Sequence, residues 1–326
     1  MSEYLNWGVL GGAKFAKDHM VPAMQLARRT RFGALATSSA EKAALFREIE
    51  PTVEIHNSYE ALLEDPKIDA VYIPLPNNLH LDWTIKAIKS GKPVLCEKPL
   101  CLRADDFDQL ISVRDATGLL VAEAFMIVHH PQWQMAKQLF EAGAIGTIKR
   151  VSCAFSYDNS RDPGNIRNSA QMGGGALPDI GVYTMGSVRF VTGEEPVEIL
   201  SSYIDWENDV DVWSHCTARF PSFHYTGVVS MRMSPWQDVT FHGTDGVMRL
   251  TAPFNPGSYG EAQIELHRPT APMAVETLRF PAANHYVNQL EAFAATVLDG
   301  AEYPCSLEFV QGTQKMIDAV FAKAKG

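Results

Sequence analysis

The first 123 residues alternate short apolar runs with segments of helical period, and that alternation restricts the fold more than any other feature of the chain. Residues 5–10, 32–36, 53–56, 69–73, 94–97 and 119–122 read as strands, most of them apolar throughout rather than at every second position. Between them lie helical stretches at 14–28, 40–49, 59–63 and 80–90, the last with Leu81, Ile85 and Ile88 at helical spacing and Gly91 as its stop. A further helix, marked by Phe107, Leu110, Ile111 and Arg114, closes at Gly118. A strand without alternation is buried on both faces, and in a run of βαβ units that means a parallel sheet covered by helices. Ligands of such sheets sit outside the carboxyl ends of the strands. Gly11, residues 74–78 and Glu97-Lys98 all fall at such ends.

The period changes in the second half. Residues 149–157 alternate as a half-exposed strand does, and strand-like runs recur at 198–206, 212–220, 224–233, 239–242, 247–250 and 263–267. Thr244-Asp245-Gly246 is a hairpin-type turn. Two helical patterns, 284–298 and 307–324, end the chain. The reading is an α/β protein with two domains. Residues 1–123 form a doubly wound parallel sheet that binds a dinucleotide, and residues 124–326 form an α+β domain with a large open, mainly antiparallel sheet for substrate binding and oligomerisation.

Composition narrows the function. The 28 basic and 38 acidic residues give a net charge of −10, which argues against nonspecific nucleic-acid binding. The polar N-terminus has no basic segment followed by an apolar one, so no signal peptide is expected, and no apolar run is long enough to span a bilayer. The five cysteines are scattered with no CxxC pair, which fits a reduced, cytoplasmic protein. No metal is expected. His129-His130, His215-Cys216, His224 and His242 match no ligand spacing, and adjacent histidines in a strand point to opposite faces. There is no Gly-x-Ser-x-Gly elbow either.

The segment Gly8-Val9-Leu10-Gly11-Gly12-Ala13-Lys14-Phe15-Ala16 is a variant dinucleotide fingerprint. Gly11 allows the tight turn after the strand. Ala13 stands where backbone should approach a pyrophosphate, and Ala16 is the small residue for helix–sheet packing. Gly11, Gly12, Ala13, Lys14 and Phe15 are therefore candidate coenzyme contacts. An acid at the end of the second strand would select NAD; here stand Thr37, Ser38 and Ser39, with Lys42 one turn on. Hydroxyls and an ammonium suit a 2′-phosphate, so NADP is expected, with NAD as the alternative; otherwise Ser38 and Ser39 merely cap the next helix. In Pro76-Asn77-Asn78-Leu79-His80, the residues Pro76, Asn77 and His80 are candidates for the nicotinamide ribose, against the plainer reading of a strand-to-helix loop.

Lys98 lies in Val94-Leu95-Cys96-Glu97-Lys98-Pro99, delivered by an apolar strand and fixed by the proline after it. Glu97 can pair with Lys98 or bind the ribose, and both Glu97 and Lys98 are candidate coenzyme contacts. Downstream, Asp179 and Tyr183 are four apart in Gly173-Gly174-Gly175-Ala176-Leu177-Pro178-Asp179-Ile180-Gly181-Val182-Tyr183, one face of a helix if the stretch is helical. Tyr183 could equally be a core aromatic and Asp179 a helix cap.

With these residues together, the chain resembles the glucose–fructose oxidoreductase/inositol dehydrogenase/rhizopine catabolism (Gfo/Idh/MocA) family over nearly its whole length. Glu97-Lys98-Pro99, the Gly-Gly-Gly-x-Leu-x-Asp-x-Gly-x-Tyr pattern, Asn165-Ile166-Arg167, and Glu123-Ala124-Phe125-Met126 before His130-Pro131-Gln132 carry the resemblance. It implies an N-terminal Rossmann domain, NAD or NADP, sugar or polyol substrates, and a homodimer or homotetramer through the open sheet. Tyr183, where many members have His, is similar to the branch of glucose–fructose oxidoreductase, dimeric dihydrodiol dehydrogenase and NADP-dependent xylose dehydrogenase. The 37–42 run is similar to that of anhydrofructose reductase. Ala13 departs from the glycine fingerprint, and Val128 stands where relatives often have arginine.

The chemistry expected is hydride transfer between a sugar or polyol carbinol and the nicotinamide. Tyr183 exchanges the hydroxyl proton, Lys98 favours its phenolate, and Asp179 orients a hydroxyl or Lys98. Asn165 and Arg167, with Asp179 and Tyr183, contact the substrate. The same groups run in reverse would reduce a dicarbonyl or anhydro-sugar, or serve a dihydrodiol dehydrogenase. A reading from another class is a non-catalytic nucleotide sensor, which would have no need of Lys98 and Tyr183.

Overall fold

The structure, a computed structural model, describes residues 3–270 and 272–325. The chain divides into two compact units, one made of the residues up to His129 with Asn284–Phe309, the other of His130–Ala283 with the residues from Val310 on.

The first unit is built on a parallel sheet of β1 (Leu5–Leu10), β2 (Thr30–Ala36), β3 (Glu54–His56), β4 (Ala70–Ile73), β5 (Val94–Cys96) and β6 (Val121–Glu123). Its order is β3-β2-β1-β4-β5-β6, so the winding reverses between β1 and β4 and leaves a switch point at their carboxyl ends. This is the doubly wound Rossmann arrangement. The apolar runs are buried as their composition requires, with Val9, Leu10, Val71, Tyr72, Ile73, Val94 and Leu95 fully covered. Helix Ala40–Ile49 starts at Ser39, whose hydroxyl accepts from the Lys42 N–H at 3.2 Å. The helix expected at 14–28 is shorter and irregular: a π-helical turn over Ala16–Met20 runs into an α-helix over Val21–Leu26. Glu97 lies just beyond β5 rather than in it.

The domain boundary expected at residue 123 is corrected in two places. Residues 124–129 stay with the first unit, the Ala124 N–H bonding the Cys96 carbonyl at 2.7 Å and the Asn288 amide bonding the His129 carbonyl at 3.0 Å. Helix His285–Asp299, assigned from sequence order to the second domain, also belongs to the first. Its apolar side, Leu290, Phe293 and Ala294, is buried, with Phe293 4.7 Å from Trp7 between ring centres. Arg28 and Arg29 pair with Glu291 and Asp299 at its exposed edge. Chain order does not reveal such a return, because the packing partner lies almost 300 residues away.

The second unit is an eight-stranded sheet of β7 (Ile148–Asp158), β8 (Glu198–Glu207), β9 (Val210–Arg219), β10 (His224–Ser230), β11 (Arg232–Gly243), β12 (Val247–Leu250), β13 (Gln263–Arg268) and β14 (Ala274–Arg279). The order is β14-β13-β12-β11-β7-β10-β9-β8, antiparallel except for the β7–β10 pair. Helices Pro131–Glu141 and Val182–Thr192 belong to this unit, and burial alternates along β9 as on a sheet with one covered face. The expected run at 224–233 breaks at the buried Met231, and 239–242 is the end of a longer strand with a register shift between Arg232 and Trp236. β14 gave no signal because almost every residue in it is exposed. Among the described residues no helix is long and apolar enough to cross a membrane.

Trp7 ties β1 to helix His285–Asp299 with its ring fully buried. Trp7→Ala should cost about 3–5 kcal/mol, read as a loss of melting temperature and urea midpoint.

Candidate active site

The carboxyl ends of β1 and β2 make the first cluster. Gly11 has φ 87° and donates to the Ala36 carbonyl at 2.9 Å. A Cβ there would lie 2.9 Å from Leu75 Cδ2 and 3.2 Å from the Tyr59 hydroxyl, so conformation and space both demand glycine. A Cβ on Gly12 would lie 2.9 Å from Lys42 Cβ, which means that the lysine stem runs across the glycine turn. Ser38 is exposed beside it, Ser39 is spent as a helix cap, and the Thr37 hydroxyl accepts from the Ser39 N–H at 3.2 Å. No carboxylate stands at residues 37–39 to oppose a 2′-phosphate. Ala13 and Phe15 are half-buried in the turn. The exposed Lys14 turns instead to Asp18, at 2.8 Å. This glycine cradle under a lysine fits a dinucleotide, and Gly11, Gly12, Ala13, Ser38 and Lys42 are the residues that would hold it.

The ends of β4, β5 and β6 make the second cluster, a turn over Glu97–Leu100 held from four sides. The Glu97 N–H bonds the Ile73 carbonyl at 3.0 Å. The Glu97 carboxylate accepts from the Tyr72 hydroxyl at 2.6 Å, and burial together with that carboxylate holds the phenol well above its usual pKa. His80 places Nδ1 2.8 Å from the Pro99 carbonyl and Nε2 2.7 Å from the Leu75 carbonyl. The Leu100 N–H donates to Glu123 at 2.8 Å. Within this frame Lys98 is half-buried, joined to Pro99 by a cis peptide bond.

His80 corrects an expectation. Proposed from sequence as a coenzyme contact, it is fully buried and bridges the loops after β4 and β5. Burial depresses its pKa, while the two carbonyls pull the other way. Pro76 and Asn77, ahead of it, are half-buried. Sequence reasoning missed Tyr72, Glu123 and Tyr286. Tyr72 reads as a strand apolar, and Tyr286, packed on Phe15 at 5.6 Å and His19 at 5.7 Å, comes from the far end of the chain. Glu123 did carry a signal, an acid at the end of an otherwise apolar strand.

The second unit holds its own cluster. The glycine run folds tightly under residues 165–167: the Gly175 N–H bonds the Arg167 carbonyl at 3.0 Å, and a Cβ on Gly174 would collide with that carbonyl. Leu177–Gly181 is a π-helical turn that leads into helix Val182–Thr192, so Asp179 and Tyr183 straddle two helix types rather than share a regular helix. Asp179 Oδ2 accepts from Arg167 Nε at 2.8 Å and from the Tyr157 hydroxyl at 2.6 Å. The carboxylate raises the Arg167 pKa, and burial, then Asp179, raises that of Tyr157. Asp179 therefore anchors an arginine and is not a helix cap. Asn165 is engaged at both ends, accepting from the Arg167 N–H at 3.1 Å and donating to Asp162 at 3.0 Å, so it shapes the loop that presents Arg167. Tyr183 is 7% exposed beside Phe155 and Phe254. Tyr157 and Asp211 were missed; both lie on strands far from the glycine run in sequence.

Elsewhere, Glu54, His56 and Asp65 could in principle surround a cation, but His56 bonds Asp65 at 3.1 Å and Glu54 pairs with Lys67 at 3.2 Å. His129 and His130 are buried, and their pKa values fall to about 3 and about 4. All five cysteines are buried free thiols.

Asp211 accepts from the Leu177 N–H at 2.7 Å at the start of the turn bearing Asp179, and burial lifts its pKa from 3.8 to about 7. A carboxyl raised on folding stabilises most below its unfolded pKa, and that contribution is lost as pH rises through the folded one. Asp211→Asn keeps an acceptor oxygen but does not titrate. The melting temperature of the wild type relative to this variant should therefore decline between pH 3.8 and about 7, then level off.

Residues 5–125 match the model of an oxidoreductase family with an NAD-binding Rossmann fold, and residues 133–249 match the GFO/IDH/MocA C-terminal domain. An uncharacterised oxidoreductase, ORF334, from Rhizobium meliloti is 35% identical over 99% of this chain and 98% of its own. The D-xylose 1-dehydrogenase (NADP(+)) 2 of Haloferax volcanii is 30% identical over 98% and 97%. The crystal structure of KijD10, a 3-ketoreductase from Actinomadura kijaniata in complex with NADP and TDP-benzene, superposes with a TM-score of 0.89 at 29% identity, covering 98% of each chain. Lysine-to-alanine and tyrosine-to-phenylalanine variants of that reductase have the same fold. By sequence over both domains and by fold, the chain belongs to the GFO/IDH/MocA family of oxidoreductases.

Proposed function

We propose that the protein is an NADP-dependent dehydrogenase or reductase of a sugar or polyol. The observation that carries this is the Glu97–Leu100 turn, which fixes a half-buried Lys98 at the carboxyl edge of a dinucleotide-type sheet. The NADP preference rests on Ser38 and on Lys42 lying over Gly12, in a chain with no acid at residues 37–39. The relatives solved with NADP or named for it support the same coenzyme.

When bound, the coenzyme gives or takes the hydride. The chain's residues manage the proton and the pose. Tyr183 takes the carbinol proton in oxidation and returns it in reduction. A phenol with a pKa near ~10 is a weak base at neutral pH, and a lysine ammonium acting on the same oxygen favours the phenolate. Lys98 has that role. Arg167, locked by Asp179 and steadied by Tyr157 and Asn165, offers N–H donors to substrate hydroxyls, and Asp179 acts through it.

Tyr183→Phe should leave NADPH binding intact and lower kcat by roughly 10²–10⁴-fold, and Lys98→Ala should do the same. The measurement is turnover on aldoses, polyols and diols with each oxidised coenzyme and on carbonyls with each reduced one, beside NADPH fluorescence titration. Unchanged kcat in Tyr183→Phe removes the tyrosine from the mechanism.

The open sheet is proposed to meet a second copy of the chain. Leu200, Tyr203 and Trp206 on β8 and Met233 and Trp236 on β11 are 39–63% exposed, more large apolar surface than isolated strands usually leave in water. Sedimentation should give a dimer or tetramer, and Trp236→Glu should shift it toward monomer.

A further inference from the structure

We propose that Glu123 is a positioning residue for Lys98: its buried carboxyl closes the turn that bears the lysine and, when ionised, is a counter-charge that holds the ammonium in place. This rests on the reading of Lys98 given above.

The geometry lies within the first unit. Glu123 is the last residue of β6, in register with Cys96, the last of β5. It is 5% exposed, and one of its oxygens receives the Leu100 N–H at 2.8 Å. The neighbouring Ala124 N–H is pinned to the Cys96 carbonyl at 2.7 Å. The carboxyl therefore cannot swing away without leaving a buried N–H unpaired. His80 holds the Pro99 carbonyl in the same segment, so the two residues after the lysine are each fastened.

The charges around Glu123 come from several elements. Lys98 and the Leu100 N–H favour the carboxylate; Glu97 opposes it. Cys96 on β5, Cys101 after the turn, and Tyr303 also act on this carboxyl, but burial holds all three in their neutral forms at physiological pH. Glu97, the acid that opposes ionisation of Glu123, is itself held by Tyr72. Burial lifts the Glu123 pKa to about 7.

The test is Glu123→Gln, which keeps an oxygen for the Leu100 N–H and loses the charge. Its melting temperature and NADPH affinity should stay close to wild type. Wild-type kcat should rise with pH through an ionisation near 7. The variant should lack that limb and sit up to roughly 10²-fold lower on the alkaline side. Glu123→Asp should restore the limb. A readout independent of turnover is the NMR signal of ¹³C-dimethylated Lys98, assigned with Lys98→Arg. In the wild type it should respond to an ionisation near neutrality, and in Glu123→Gln that step should vanish. A lysine signal without the neutral step in the wild type, or a Glu123→Gln protein with the wild-type pH profile, overturns the proposal. If Lys98→Ala retains full turnover while the lysine signal tracks Glu123, the positioning stands and the catalytic reading of Lys98 fails.

Discussion

The Glu97–Leu100 turn depends on buried hydrogen bonds that cannot be exchanged for water. Tyr72, His80 and Glu123 come from three different elements, and each spends its polar atoms on this one loop. A buried polar group left unpaired costs more than a typical surface interaction contributes, so the loop has one arrangement rather than several. A lysine on such a loop has little freedom in its backbone, and an active-site cation gains from that because orientation is settled before substrate arrives.

The second unit uses the same device with other residues. Arg167 is presented by a loop that folds under three glycines, and its guanidinium is locked by Asp179, which also binds Tyr157. Asp211, from β9, closes the backbone at the start of the Asp179 turn. In both units a buried carboxyl whose pKa lies near 7 receives a backbone N–H next to a candidate site residue. Burial is the first cause each time, so both sites trade some stability above neutral pH for a fixed backbone.

Much of the candidate site can be named from sequence because its chemistry is local. Gly11, the carboxylate-free end of β2, Lys98 and the glycine run before Asp179 each announce themselves within a few residues, since turns, caps and phosphate cradles are made by neighbours in sequence. The misassignments have one cause. His80 reads as a loop residue facing a ligand, but whether an imidazole points to solvent or between two carbonyls is decided by the loop after the next strand. Asn165 reads as a substrate contact, and its bonds to Asp162 and the Arg167 N–H, which also shape the loop, do not show in the local pattern.

The sequence by itself determined the strand–helix alternation, the parallel and open sheets, and the residue types at the strand ends. Those follow from hydrophobic period and turn chemistry, which act over short stretches of chain. Only the tertiary structure decided that helix His285–Asp299 joins the first unit, that His80 and Glu123 hold the lysine turn, and that Asp179 answers to Arg167 and Tyr157. These depend on which buried polar atoms find partners, and a partner dozens or hundreds of residues away leaves no mark on the local pattern.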